Sequence, residues 1–456
     1  MAARNGDFRS GKRFHVVLIP GFAGFDALGQ LEYYGGLTGL FKKWKKGGEV
    51  LHYFDNLPTA AVATRARRLR EYLAKRFARG EIFRGDDVTL VGHSTGGLDI
   101  RRLLRDLSDL RKSGQPIFVE GGETVNPDDL CQLIHRVVFL SVPHWGTNIA
   151  DWVQSHWVWR RALIEDLRAT VAGSQLSPVG RVESAIAFNA ASMTDAAFFR
   201  AMQDALDEAN EDTGKQNPFR KAEAHEAASE LALYLRDMAS DFRAIDDLTS
   251  RPPRIGKRLL RETLSPAHFS AEERERELKE LQRIDFLSYA TIGRCPFRFE
   301  PGKPAPTWEL ANPWTYPSIW EDGGPTRGTD IAYRACYRAC AGGPFDPPKE
   351  SHELAKRASP KETTEVWDND GIVNTLSMFW PLGKNALVHA DHMDVVGQYT
   401  PVQAPGGGGR KYLRYDLLKS RSGFDDRIFG EIWDEIFAFA LARSNARSLA
   451  ATAARG

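Results

Sequence analysis

Nowhere does the chain run for about 18 apolar residues, the length that a bilayer-spanning helix needs. Its polar start, Met1 to Arg13, also lacks the apolar core of a signal peptide. As written the sequence therefore reads as cytoplasmic, with secretion the alternative where a leader has been removed. Charge of one sign is missing too: 61 basic residues face 60 acidic ones, for a net +1, which leaves no electrostatic footprint for nucleic acid. Cysteine is scarce. Cys131, Cys295, Cys336 and Cys340 are the four present, too few for a disulfide framework in 456 residues. Cys336 and Cys340 find no second cysteine or histidine pair at metal-ligand spacing and read as free thiols. What is present is ordinary globular composition, 42% hydrophobic and 27% charged, in a length that suits one α/β core with long excursions.

Short apolar runs supply the strands. Phe14 to Ile19 ends at Pro20-Gly21, as a buried parallel strand entering a tight loop does, and Val50 to Phe54 is a weaker second strand. A helix over about Ala60 to Ala78 sets Leu69, Leu73 and Phe77 on one face. Val88 to Val91 runs directly into Gly92-His93-Ser94-Thr95-Gly96-Gly97 and then a helix over Leu98 to Leu110. Val137 to Val142 and Ile284 to Ile292 are further strands, and Ile428 to Leu441 is a last amphipathic helix. The alternation predicts an α/β fold with a mostly parallel, doubly wound sheet.

The core is expected over 13–143 and 284–443, interrupted by a helical insertion at 144–283 and a loop-rich excursion at about 293–364; a frayed tail occupies 444–456. In the insertion Leu231, Tyr234, Leu235, Met238, Phe242 and Ile245 recur at helical spacing. Such a stripe packs onto the body, or forms a lid that opens at a lipid–water interface; Trp152, Trp157 and Trp159 add interfacial side chains to either arrangement.

Ser94 is the candidate nucleophile, because G-x-S-x-G between a buried strand and a helix forms a sharp elbow that exposes the serine hydroxyl. That hydroxyl needs a histidine base, itself oriented by a carboxylate. In serine, acid, histidine order the candidates are Asp368 or Asp370 and His389 or His392, and composition does not choose between them. Asn369-Asp370-Gly371-Ile372-Val373-Asn374-Thr375 and Asp391-His392-Met393-Asp394-Val395-Val396-Gly397 resemble the acid and histidine blocks of the large thermophilic Bacillus-type triacylglycerol lipases, the family I.5 lipases. Pro20 to Phe25 resembles that family's oxyanion loop, and Val142-Pro143-His144-Trp145-Gly146-Thr147 its TPHxGT segment.

The resemblance implies an α/β-hydrolase with a large helical lid. Ser94, Asp370 and His392 would form its triad, and Phe22 and Thr95 would supply the backbone N–H groups of the oxyanion hole. Asp368 and His389 are the fallback pair, while His93 and His144 read as supporting residues. The family's zinc site is not expected: Asp246-Asp247-Leu248-Thr249-Ser250 resembles one of its segments, but 60–79 contains no histidine. Asp394 is a calcium candidate without an acidic partner in 397–404, and no cofactor is required. The expected activity is hydrolysis of carboxylic esters, acylglycerols foremost, through an acyl-serine. A carboxylesterase for soluble or unusual esters is one alternative, and a catalytically silent module that binds a membrane or protein partner is another.

Overall fold

The structure is a computed structural model that describes residues 11–24, 27–28, 31–155, 237, 241, 243–250, 265–295, 328–343, 345–399, 416, 418 and 420–442. Strands β1 (Phe14–Ile19), β2 (Glu49–Tyr53), β3 (Asp87–His93), β4 (Ile134–Leu140), β5 (Asp285–Ile292) and β6 (Lys384–His389) form one sheet in the order β6-β5-β4-β3-β1-β2. Every pairing in it is parallel. This is the strand arrangement of the α/β-hydrolase fold. The chain passes from β1 to β2 on one side and returns to β3 on the other, so the carboxyl ends of β1 and β3 are the switch point at which open α/β sheets place their sites.

Both sheet faces are covered, which is why the inner strands are buried and mostly apolar. Val16 and Leu18 of β1 face one core with α1 (Leu37–Trp44) and the carboxyl-terminal helix, through Phe41, Trp433 and Phe437. Val17 and Ile19 point the other way, against α2 (Val62–Ala78) and α3 (Thr95–Ser113), through Leu69, Leu73, Ile100 and Leu103. The period-two alternation of a strand is thus satisfied by two cores. Helix α4 (Ala271–Leu281) opens on a capping box in which Ser270 and Glu273 each bond the other's backbone N–H.

The predicted strands and helices of the core are present, each within a few residues of its expected ends. Two readings change. Edge strand β6, KNALVH, was not anticipated: it is only partly buried and offers little apolar signal. The stretch 293–364 is not a loop elaboration throughout, since it holds α5 (Gly328–Gly342) and α6 (Lys349–Ala358). Tyr333, Cys336, Tyr337 and Cys340 recur at helical spacing on α5 and are buried together, so the cysteine spacing reflects a helix face. All four cysteines are free thiols. Helix α7 (Asp426–Ala440) closes the fold.

Most of the insertion, including Trp157, Trp159 and the stripe from Leu231 to Phe242, lies outside the described residues. Its return is tied to the core: Asp247 accepts the Val62 N–H at 2.7 Å and so caps α2, whose preceding Ala61 has no side chain to do so. Among the described residues no helix is long and apolar enough to cross a membrane.

Candidate active site

Ser94 stands between β3 and α3 with φ 52° and ψ −128°, a strained conformation for a residue with a side chain. Its surroundings enforce the turn. The Ser94 N–H bonds the Leu140 carbonyl at 2.8 Å. A Cβ at Gly92 would lie 2.7 Å from the Gly97 nitrogen, one at Gly96 2.5 Å from the Ile19 oxygen, and one at Gly97 2.2 Å from Val142 Cγ2. These glycines are therefore required by close packing of strand, helix and β1 loop.

The partners arrive on later loops. Asp370 lies between α6 and β6 and His392 in the turn after β6, and His392 Nδ1 lies 2.7 Å from Asp370 Oδ2, with both residues buried. The carboxylate is held from four directions. Its Oδ1 accepts the N–H groups of Ile372 and Val373 at 3.0 and 2.8 Å, while the Thr291 hydroxyl donates to Oδ2 at 2.7 Å. With its proton committed there, Thr291 accepts from the Ser141 hydroxyl at 2.8 Å. His392 also packs beside the elbow, its ring centroid 4.6 Å from that of His93.

The fallback pair is not assembled. Asp368 accepts the Glu365 N–H at 2.8 Å, and burial pushes its carboxyl up to about 6; His389 is exposed and faces Glu362 at 3.1 Å. His144 is fully buried between Phe139 and Trp380, at centroid distances of 4.7 Å each.

Phe22 and Thr95 flank the elbow. Thr95 is the first residue of α3, where N–H groups have no intrahelical acceptor, and Phe22 follows Gly21, whose Cβ would lie 2.7 Å from Ser94 Cβ. Arg65, which the sequence reading passed over, fastens this loop. It is fully buried, donating from Nη2 to the Pro20 and Gly21 carbonyls at 2.8 and 3.1 Å and from Nη1 to Leu57 and Pro58 at 3.0 Å. Asp99 pairs with its Nε at 2.9 Å, and burial of that carboxyl pushes it up to about 6. Ala23, at φ 53°, donates to the Pro58 carbonyl at 2.8 Å.

Asp394 has acidic neighbours after all, though not in 397–404. Carboxylate oxygens of Asp391, Asp394 and Asp416 lie within 4.8 Å of one another. Burial, then the nearby Asp416 charge, pushes Asp391 up to about 7; burial and Asp391 drive Asp394 well above the usual carboxylate range. Oxygen donors in such a group suit calcium.

No protein-family model matches the sequence, and no curated protein sequence does. Among solved structures the chain is similar to Staphylococcus hyicus lipase, at 15% identity and TM-score 0.43, covering 96% of this chain and 97% of that one. It is similar also to EstA from Clostridium botulinum (16%, TM-score 0.39, 93% and 89% covered). The mature Bacillus licheniformis lipase BlEst2 gives 12% identity, TM-score 0.35 and coverage of 86% and 91%. At such values the likenesses decide neither substrate nor residue roles.

Proposed function

We propose that the chain is a serine carboxylic ester hydrolase, and within that class a lipase acting on acylglycerols. The observation that carries the reading is a strained elbow serine followed, in chain order, by a buried histidine–carboxylate pair whose histidine ring packs 4.6 Å from that of His93, the residue before the serine. Ser94 attacks the ester carbonyl as His392 takes its proton. Asp370 fixes the histidine tautomer with the proton on Nδ1, leaving Nε2 as the base. Developing charge on the carbonyl oxygen is met by the N–H groups of Thr95 and Phe22, a kind of contact whose removal typically costs about 10²–10³ in rate. The alcohol departs with the histidine proton, and water activated by the same base releases the acid from acyl-Ser94.

The carboxylates of Asp391, Asp394 and Asp416 would hold a calcium ion, which neutralises their repulsion and braces the turn that carries His392. The chemistry above takes no step through it.

Hydrolysis of p-nitrophenyl esters from acetate to palmitate by the wild type and by Ser94→Ala tests the reading. Long-chain turnover lost in the variant is the expected result. Turnover limited to short acyl chains would move the assignment to a carboxylesterase, and equal turnover by both proteins would remove the serine mechanism.

A further inference from the structure

Three side-chain hydrogen bonds join the loop beside Ser94 to the loop of His392, and the direction of each follows from chemistry. His93 Nε2 lies 2.8 Å from the His392 carbonyl oxygen. A carbonyl only accepts, so Nε2 carries a proton and donates. Burial, and next the neighbouring His392, hold His93 far below the ordinary imidazole range, so its ring is neutral and Nδ1 is left as a lone pair. Tyr33 Oη, 2.6 Å from that Nδ1, must then donate to it. The Tyr33 oxygen in turn accepts the Gly21 N–H at 3.0 Å. The order is Gly21 N–H to Tyr33 Oη, Tyr33 O–H to His93 Nδ1, and His93 Nε2–H to the His392 carbonyl.

Tyr33 is 4% exposed, His93 0% and His392 4%, so water does not compete for these bonds. A chain of this kind in a low-dielectric interior polarises along its length. A phenylalanine and a leucine would fill the same core but leave the Gly21 N–H and the His392 carbonyl without these partners, so the chain both satisfies the two loops and ties them together. Its ends are the informative part: one bonds the residue before Phe22, the other the backbone of His392.

We propose that Tyr33 and His93 are positioning residues whose hydrogen-bonded chain sets the oxyanion loop and the His392 turn at a fixed distance from each other across Ser94. The inference rests on the serine-hydrolase reading above. Neither residue touches the ester. In the reaction the chain holds the donor of the oxyanion loop and the base in register while charge develops between them, the kind of alignment in which displacement of about 1 Å costs about a hundredfold in rate. The neutral His93 ring beside His392 also leaves no second positive charge to oppose the imidazolium formed there.

The test is steady-state hydrolysis of p-nitrophenyl butyrate by wild type, Tyr33→Phe, His93→Leu and the double variant. Rates are normalised to sites titrated with a p-nitrophenyl phosphonate, so that unfolded protein does not count, and melting temperatures are recorded alongside. Each single variant is expected to lose about 10–100-fold in kcat with KM within about threefold. The double variant is expected to be no worse than the weaker single one by more than about twofold, because either break opens the whole chain. Where His93→Leu does not fold, His93→Gln replaces it; its amide keeps a donor near the Nε2 position, and its kcat is expected to exceed that of Tyr33→Phe. Normal kcat in Tyr33→Phe with a lowered melting temperature, or losses that multiply in the double variant, overturns the proposal. Wild-type activity in Ser94→Ala, run in the same assay, would instead mean that the serine reading has failed.

Discussion

Gly21→Ala is a one-methyl perturbation aimed at the loop that carries the Phe22 N–H. Gly21 is not among the residues at positive φ, so alanine meets no backbone penalty and the effect is steric. The new Cβ would lie 2.7 Å from Ser94 Cβ and 2.8 Å from Tyr33 Oη. Ordinary contact begins near 3.4 Å, so the loop and the elbow must separate by about 0.7 Å, the difference from 2.7 Å. Ser94 cannot yield: it is pinned through its N–H to Leu140 and backed by glycines already in contact. The loop therefore moves, and with it one proposed oxyanion donor. A shift of this size is expected to lower kcat about a hundredfold, with KM for a small ester nearly unchanged, and overpacking adds about 1–3 kcal/mol of destabilisation. Gly430→Ala in α7 is the control, because nothing lies within 4 Å of its added Cβ. It is expected to gain about 0.4–1 kcal/mol in stability with full activity. Stopped-flow hydrolysis and denaturant midpoints of both variants measure these effects. A Gly21→Ala enzyme with kcat within threefold of wild type would refute the placement of the oxyanion loop.

Other expectations follow from buried charge. Arg101 is fully buried, held by Glu277 at 2.6 and 2.8 Å and stacked 4.6 Å from Trp380, so Glu277→Ala strands a cation and should cost about 3–5 kcal/mol in denaturant unfolding. A cost below about 1 kcal/mol would mean that water reaches the pair. His52, bonded to His15 at 2.9 Å, is pushed down to about 3 by burial, then by His15 and Arg76. Below its unfolded value of 6.5 the unfolded chain binds a proton that the folded chain refuses, so this contribution to stability is lost as pH falls from 6.5 towards 3. The stability difference between wild type and His52→Gln should accordingly move against the wild type by about 1.4 kcal/mol per pH unit between pH 6 and 4; a flat difference would contradict it. Chelation should lower the melting temperature, calcium should restore it, and Asp416→Asn should abolish both effects; a wild-type response to chelator in Asp416→Asn would place the ion elsewhere.

The sequence was most legible where structure is local. The elbow needs only a strand, three close glycine contacts and a helix in succession, so Gly92 to Gly97 could be read directly. The choice of Asp370 and His392 over Asp368 and His389 came from motif resemblance, because the two pairs differ in position and hardly in composition. What stayed hidden depends on long-range partners. Tyr33 acts through His93, Arg65 through carbonyls of the β1 loop, and Thr291 through Asp370, and none of these contacts has a sequence period. Asp416 escaped for the same reason: it reaches Asp394 from beyond 397–404, and no motif spacing links the two. β6 was missed since an edge strand half open to solvent lacks the apolar run that marks the inner strands.

The central claim is that Ser94 is the nucleophile and His392 its base. Mass mapping after stoichiometric reaction with an alkyl p-nitrophenyl phosphonate tests it most directly. The account predicts one adduct per chain, on the peptide containing Ser94, with complete loss of esterase activity and labelling slowed by about 10³-fold or more in His392→Ala. An adduct on another residue, or ester turnover that persists once Ser94 is fully labelled, would contradict it.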